Sequence, residues 1–312
     1  MSKPRTQSSR TAVVALGAGL LLTAGGIAAQ SALGSAPTTT TTASHGPAIA
    51  TAAVQPGSTN TGVPAGTKLT IHSGDISVTK AGTVLSGLDI RGSVLIHAAN
   101  VVIKNSIIRG GAAPTHNHCI LVDTDSKGTN LLVQDSEFAP THVNVYQNNF
   151  CGSHFTANRI NSHTGVDTMD INGGSVLVEN SWFHGTTHYS VDPNHGGGPS
   201  HNDAIQVTAG VGIKIINNTI SGGANSALMI SQDAGKVSSL TMSGNYIGEG
   251  SCSVRIDDKP LSGMSGISLT SNRFSKDQTI SGCAVLMTMR ISYSASGNVW
   301  TDGSAVAIKR YG

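Results

Sequence analysis

The sequence predicts an all-β protein: a parallel β-helix, in which one chain winds short strands into a single-stranded solenoid. Three observations predict it. Charged residues make up only 12% of the 312 residues and aromatics 4%, while Gly numbers 38, and Gly, Asn, Ser and Thr are poor helix formers. A short, mostly apolar strand ending in Asn or Asp recurs along the chain, usually with another apolar residue two places on. A second, strictly alternating strand recurs in step with it.

The first motif ends at Asn105 in VVIKNSII, Asp135 in LLVQDSEF, Asn158 in FTANRI and Asn180 in VLVENSWF, then at Asn218, Asn245, Asn272 and Asn298. Successive spacings are 30, 23, 22, 38, 27, 27 and 26 residues. A period in the twenties with one strand–turn–strand unit is that of a solenoid. The leucine-rich consensus and any helical periodicity are missing. Asn suits a corner because it tolerates left-handed backbone and its amide bonds to the turn. Amides stacked ~4.8 Å apart on successive coils can also form a ladder. The residues two places on, among them Ile107, Ile160, Trp182, Ile220, Ile247, Phe274 and Trp300, are expected in the core. Trp182 alone borders the longest interval and has the alternative of a sugar-stacking platform. Glu137 interrupts this column and predicts a local slip beside Phe138.

The second strand aligns Thr168–Ile171 with Ala204–Val207, Ala227–Ile230, Ser253–Ile256, Ala284–Met287 and Ala305–Ile308. Alternation turns the second and fourth members inward and the first and third outward. The outward third column reads Asp170, Gln206, Met229, Arg255, Leu286, Ala307. The residue before each strand reads Asp167, Asp203, Ser226, Cys252, Cys283, Ser304. Cys252 and Cys283 thus fall on adjacent coils in one register and should pair, since stacked positions lie within disulfide range. Cys119–Cys151 follows by elimination. No CxxC is present, which argues against a thiolate zinc site.

Ahead of the repeats, residues 1–29 read as an export signal: Lys3, Arg5 and Arg10 precede an apolar, small-residue stretch, with cleavage after Ala29 or near Ala36. The alternative is an uncleaved anchor, which its many Gly and Ala residues make a weak span. Residues 30–61 are a Thr/Pro/Ala-rich linker. The β-helix domain is then 62–312. Export and four cysteines agree on an extracellular, oxidising location. A net charge of +2 without a basic–aromatic cluster excludes a nucleic-acid partner, no stable membrane span is expected after signal removal, and a monomer is expected.

The 38-residue interval is the outlier. Within it, HGTTHYSVDPNHGGGPSHNDAIQV gathers His184, His188, His195 and His201 with Tyr189, Asp192 and Asp203. It leads into the stacked acids: Asp167 and Asp170 on one coil, Asp203 on the next, with Gln206 beside them. Asp167 and Asp203 should form a close pair, provided both sit on the bend before the strand. Such a pair can ligate a hard cation such as Ca²⁺, share a proton as acid and base, or cap turn N–H groups. The histidines favour proton transfer near neutral pH. No HxH or HExxH spacing within the loop supports a transition metal. His116 and His118 have HxH spacing beside Cys119, where a polar turn is the simpler reading. His142, His154 and His163 are taken as surface or turn residues.

The stacked strands, corner column and outward face resemble the pectate-lyase-like superfamily of right-handed parallel β-helix proteins, over roughly residues 62–312. The resemblance implies a carbohydrate ligand along the outer face, an acidic polysaccharide foremost. It implies a lyase that cleaves a uronate-containing chain by β-elimination. Asp167, Asp170 and Asp203 would hold Ca²⁺ as the metal ligands. Catalysis would fall to His201, Asp203 and Arg255, and substrate binding to His184, His188, Tyr189, Gln206 and Lys259. GVDTMD, HNDAIQ and VRIDDK also faintly resemble the NTD, DD and RIK motifs of polygalacturonases, which are glycoside hydrolases. Here HND replaces the double Asp, and SALM stands where GHG would. The third alternative is a non-catalytic carbohydrate-binding or cell-surface protein.

Overall fold

The computed structural model describes residues 54–123 and 128–312; the export segment and the linker as far as residue 53 lie outside the described residues. The described chain is a parallel β-helix with three strands to a coil. Every strand pair is parallel, each strand meeting its equivalents on the coils below and above. The first sheet has ten strands, from Thr70–Ser73 to Val299–Trp300. The second and third sheets are joined because one strand, Asp203–Ile216, continues through the corner from one into the other.

The second sheet carries the residues of interest. Its inward column stacks Val94, Leu121, Phe150, Met169, Ile205, Leu228, Val254 and Val285, all buried. Alternation forces the neighbouring column outward: Cys151, Asp170, Gln206, Met229, Arg255 and Leu286. The last coil corrects the sequence alignment. Val285 pairs with Ile308, two residues beyond the expected partner, so Lys309 rather than Ala307 continues the outward column. A second correction concerns Thr168, Ala204, Ala227, Ser253 and Ala284, expected outward but buried. These small residues lie where the chain turns the corner into the strand, and the three alanines join the core.

The Asn column proves to be two columns. Asn105, Asp135, Arg159, Asn180 and Asn217 occupy the corner itself in left-handed backbone, with φ of 49°, 48°, 53°, 52° and 51°. Ser106, Ser136, Ser181, Asn218, Asn245, Asn272 and Asn298 follow one place later and turn inward. Asn218, Asn245 and Asn272 each donate from Nδ2 to the Oδ1 of the next Asn, at 3.1, 2.9 and 2.9 Å. Each Oδ1 also accepts the backbone N–H of the coil before it. This one-residue offset corrects the aromatic column. Phe138, Phe183, Ile220, Ile247, Phe274 and Trp300 are inward, whereas Ile107, Glu137 and Trp182 pair in the outward register. Glu137 therefore marks no slip, and Trp182 is not core.

Residues 56–61, assigned by composition to the linker, lie along the outside of this first sheet. Thr219 Oγ1 donates to Pro56 O at 2.7 Å, and Gly62 N–H donates to Arg159 O at 2.9 Å, so the segment crosses the level of Trp182. Both disulfides form, Cys252–Cys283 and Cys119–Cys151, with Cα separations of 4.7 and 5.9 Å. Among the described residues, no helix is long and apolar enough to cross a membrane.

Candidate functional site

The site lies between the outer surface of the second sheet and the loop 185–202. That loop is the stretched interval of the repeat, and short polar bonds give it a fixed course. Asp192 caps a single 3₁₀ turn, Pro193–His195: its Oδ1 accepts Asn194 N–H at 2.7 Å, Pro193 supplies a preset φ, and Gly196 closes the turn in left-handed backbone at φ 64°. Lower down, Tyr189 N–H donates to Ser200 Oγ at 2.9 Å, and Asn202 bonds both His188 Nδ1 (3.0 Å) and Thr186 Oγ1 (2.7 Å). At the tip, Asn194 Nδ2 donates to Asn117 Oδ1 at 3.0 Å, tying the loop to a much earlier coil.

Between loop and sheet is a cavity of about 410 Å³. The sheet contributes Asp170, Gln206 and Met229, its leading edge contributes Asp167 and Asp203, and the loop contributes Asp192, His195 and His201. Asp167 and Asp203 sit on adjacent coils, 6% and 1% exposed. Asp167 Oδ1 accepts Asp203 N–H at 2.8 Å, and both oxygens of Asp203 accept from Asn225 Nδ2, at 3.0 and 3.2 Å. Burial raises both carboxyls, and each raises the other or is raised by a neighbouring acid, so the pair holds on to a proton well above the usual carboxylate range. Asp170, in the strand Met169–Asn172 that follows Asp167, is pushed up to about 6 by burial, and its Oδ1 is buried without a hydrogen-bond partner.

The loop presents two imidazoles. His195 Nδ1 lies 2.6 Å from Asp192 Oδ2, and the rings of His195 and His201 pack with centroids 4.0 Å apart. Burial works to raise Asp192, but the bonds from His195 and from Asn194 N–H outweigh it and hold the carboxyl below its ordinary value. Burial, His195 and Arg255 lower His201, against the opposing pull of Asp192.

The structure thus gathers Asp167, Asp170, Asp203, Gln206 and His201 around one cavity. It does not bring in the other candidates. No protein-family model matches the chain, and no curated protein matches it in sequence. The roles of these residues therefore rest on their geometry. His184 belongs to the first sheet, in register with His163, with its ring stacked on Trp182 at 3.6 Å and Nε2 bonded to Asn161 Oδ1 at 2.9 Å. Burial and the neighbouring His163 lower it to about 4. His188 faces a separate cleft lined by Thr186, Asn202, Glu249 and Asp277. Tyr189 sits at the base of the loop, its phenol raised by burial.

Arg255 follows Met229 in the outward column, but its guanidinium turns over the Tyr311 ring, 5.6 Å from the centroid, and does not line the cavity. Its charge still reaches Asp203 and His201, lowering both. Lys259 lies exposed past the end of its strand, its N–H on Asp257 Oδ1 at 3.1 Å. Sequence reasoning passed over His195 and Asp192 as a unit. The Asp-Pro-Asn-His run signals a capped turn, and that cap brings carboxylate and imidazole together. Asn117 carries no comparable signal.

The acids do not fit the expected calcium cage. Among the described residues no group of three or more acids, histidines or cysteines is arranged to hold a metal ion. Asp167 Oδ1 already serves the Asp203 N–H and both oxygens of Asp203 serve the Asn225 amide, which leaves few free oxygens for a hard cation that takes roughly six to eight.

Proposed function

We propose that the protein is a secreted, polysaccharide-active enzyme of the pectate-lyase-like β-helix type that hydrolyses glycosidic bonds in the cavity beneath the loop 185–202. The observation that carries this reading is the acid set itself. Asp170, raised to about 6 and with one oxygen unpartnered, opens onto a cavity of about 410 Å³ beside a proton-retaining carboxyl pair. A carboxyl poised near neutrality is what general-acid protonation of a leaving glycosidic oxygen requires. The two disulfides are compatible with an extracellular location.

The same lining argues against the β-elimination expected from the resemblance. Elimination needs a cation facing the uronate carboxylate to stabilise the enolate. Five aspartates line the cavity, and among the described residues no Lys or Arg does. A neutral glycan suits that field better than the acidic one first expected. In hydrolysis, Asp170 gives its proton to the leaving oxygen while the amides of Gln206, Asn225 and Asn117 hold hydroxyls. Water then adds to the anomeric carbon.

The test is incubation with neutral, cationic and uronate polysaccharides. Reducing ends without unsaturated-product absorbance support hydrolysis. Ultraviolet absorbance from a new conjugated double bond would restore the lyase reading. Retention on a polymer without any product would mean binding alone.

A further inference from the structure

We propose that His195, oriented by Asp192, is the base that activates water in this hydrolysis. The proposal rests on the hydrolase reading and adds to it a residue pair from the loop. Asp192 has a side chain only 3% exposed, yet its carboxyl is fully engaged: Oδ1 with Asn194 N–H at 2.7 Å, and Oδ2 with His195 Nδ1 at 2.6 Å. An ionised carboxylate can only accept hydrogen bonds, so the proton of a neutral His195 must sit on Nδ1. Nε2 is left with a free lone pair on a ring that lines the cavity.

Two further features suit this arrangement. The capped turn and the Asn194–Asn117 bond hold the ring in place on both sides. The ring is still 37% exposed, so water reaches it. The groups facing His195 are Asp192 on its own turn, His201 stacked against it, the acids Asp167, Asp170, Asp203 and Asp233 that share the cavity, and Arg255 beyond His201. Of these only Asp192 bonds Nδ1.

The oxygen of a water forms a bond to the anomeric carbon as His195 Nε2 takes one of its protons. The bond between that carbon and the glycosidic oxygen breaks, and Asp170 gives its proton to the departing oxygen. Exchange with solvent removes the proton from His195 and restores the one on Asp170.

The experiment has two arms. In the first, ¹⁵N-resolved NMR of the folded, full-length wild type reads the neutral His195 tautomer without any substrate. The expected result is a proton on Nδ1, and a proton on Nε2 overturns the proposal. In the second, His195→Gln and Asp192→Asn are assayed on the best glycan from the panel, with melting temperature confirming the fold. General-base removal should lower kcat by roughly 10²–10⁴-fold with KM within a few-fold, and should erase the acidic limb of the kcat/KM profile in His195→Gln. A His195→Gln enzyme within about threefold of wild type, with its acidic limb intact, sinks the proposal but leaves hydrolysis standing. No hydrolysis of any glycan removes both.

Discussion

Two buried polar columns run between coils of this molecule, and they behave in opposite ways. At the corner before the first sheet, Asn218, Asn245 and Asn272 each donate to the next amide of a stack that ends at Asn298, and each of the four accepts a backbone N–H. Ahead of the second sheet, Asp167 and Asp203 stack in a comparable manner. An amide carries both donors and an acceptor, so a ladder of amides satisfies itself. Ionised carboxylates only accept, so a stacked pair repels unless it keeps a proton. The first column is therefore a pure stabiliser. The second costs stability and makes a protonated acid available beside a cavity.

The largest effect should come from breaking the satisfied column. Asn245 donates to Ile215 O and to Asn272 Oδ1, and accepts from Asn218. Asn245→Ala orphans several buried groups at once and should cost about 3–5 kcal/mol in denaturant titration. A cost below about 1 kcal/mol would mean the ladder adds little.

The acid column should show itself through pH. Burial raises Asp170 to about 6 and Asp167 to about 8, and it raises Asp203 as well, so all three stand above their unfolded values. Folding then favours the protonated form. The stability these groups contribute is fully present below about pH 4 and is lost as pH rises through the folded values. The melting temperature should fall from about pH 4 to about pH 8, and the part of that fall between about pH 4 and 6 should lessen in Asp170→Asn. A wild-type protein more stable at pH 7 than at pH 5 would contradict the raised values.

A smaller effect should distinguish the two columns by the sign of one substitution. Asp203→Asn supplies a donor toward Asp167 while keeping an acceptor for Asn225. It replaces a pair that must hold a proton above the usual carboxylate range with an amide–carboxylate contact. Stability near pH 8 should rise by about 1 kcal/mol and the gain should vanish by pH 4, where wild type is already protonated. Loss of stability at both pH values would place Asp203 with the structural asparagines.

Much of this was legible because solenoid registers write spatial neighbours into sequence spacing. Met169, Ile205, Leu228, Val254 and Val285 announce one inward column, and Asp167 and Asp203 share a position just before it. The Asn column misled because Asn serves two adjacent places, the left-handed corner at Asn180 and the buried rung at Asn218. That single offset carried Trp182 to the wrong face. His188 was misplaced for a different reason. A loop has no repeat to index it, and only its bonds decide which imidazole turns toward the acids.

Arg255 offers the smallest and sharpest measurement. It stands in the same outward column as Asp170 and Gln206, which made it a catalytic candidate, yet it turns to Tyr311 and acts on the site through its field alone. Its positive charge lowers both Asp203 and His201. Arg255→Gln should therefore raise both. By NMR the His201 titration midpoint should climb by less than about one unit, as expected for a charge acting at a distance through partly solvated protein. kcat should change by less than about threefold, because no contact with the reacting atoms is lost. A loss of about 10²-fold or more would mean that the guanidinium swings into the cavity when substrate binds. The site would then hold a cation after all, and the case for a neutral glycan over a uronate would have to be reopened.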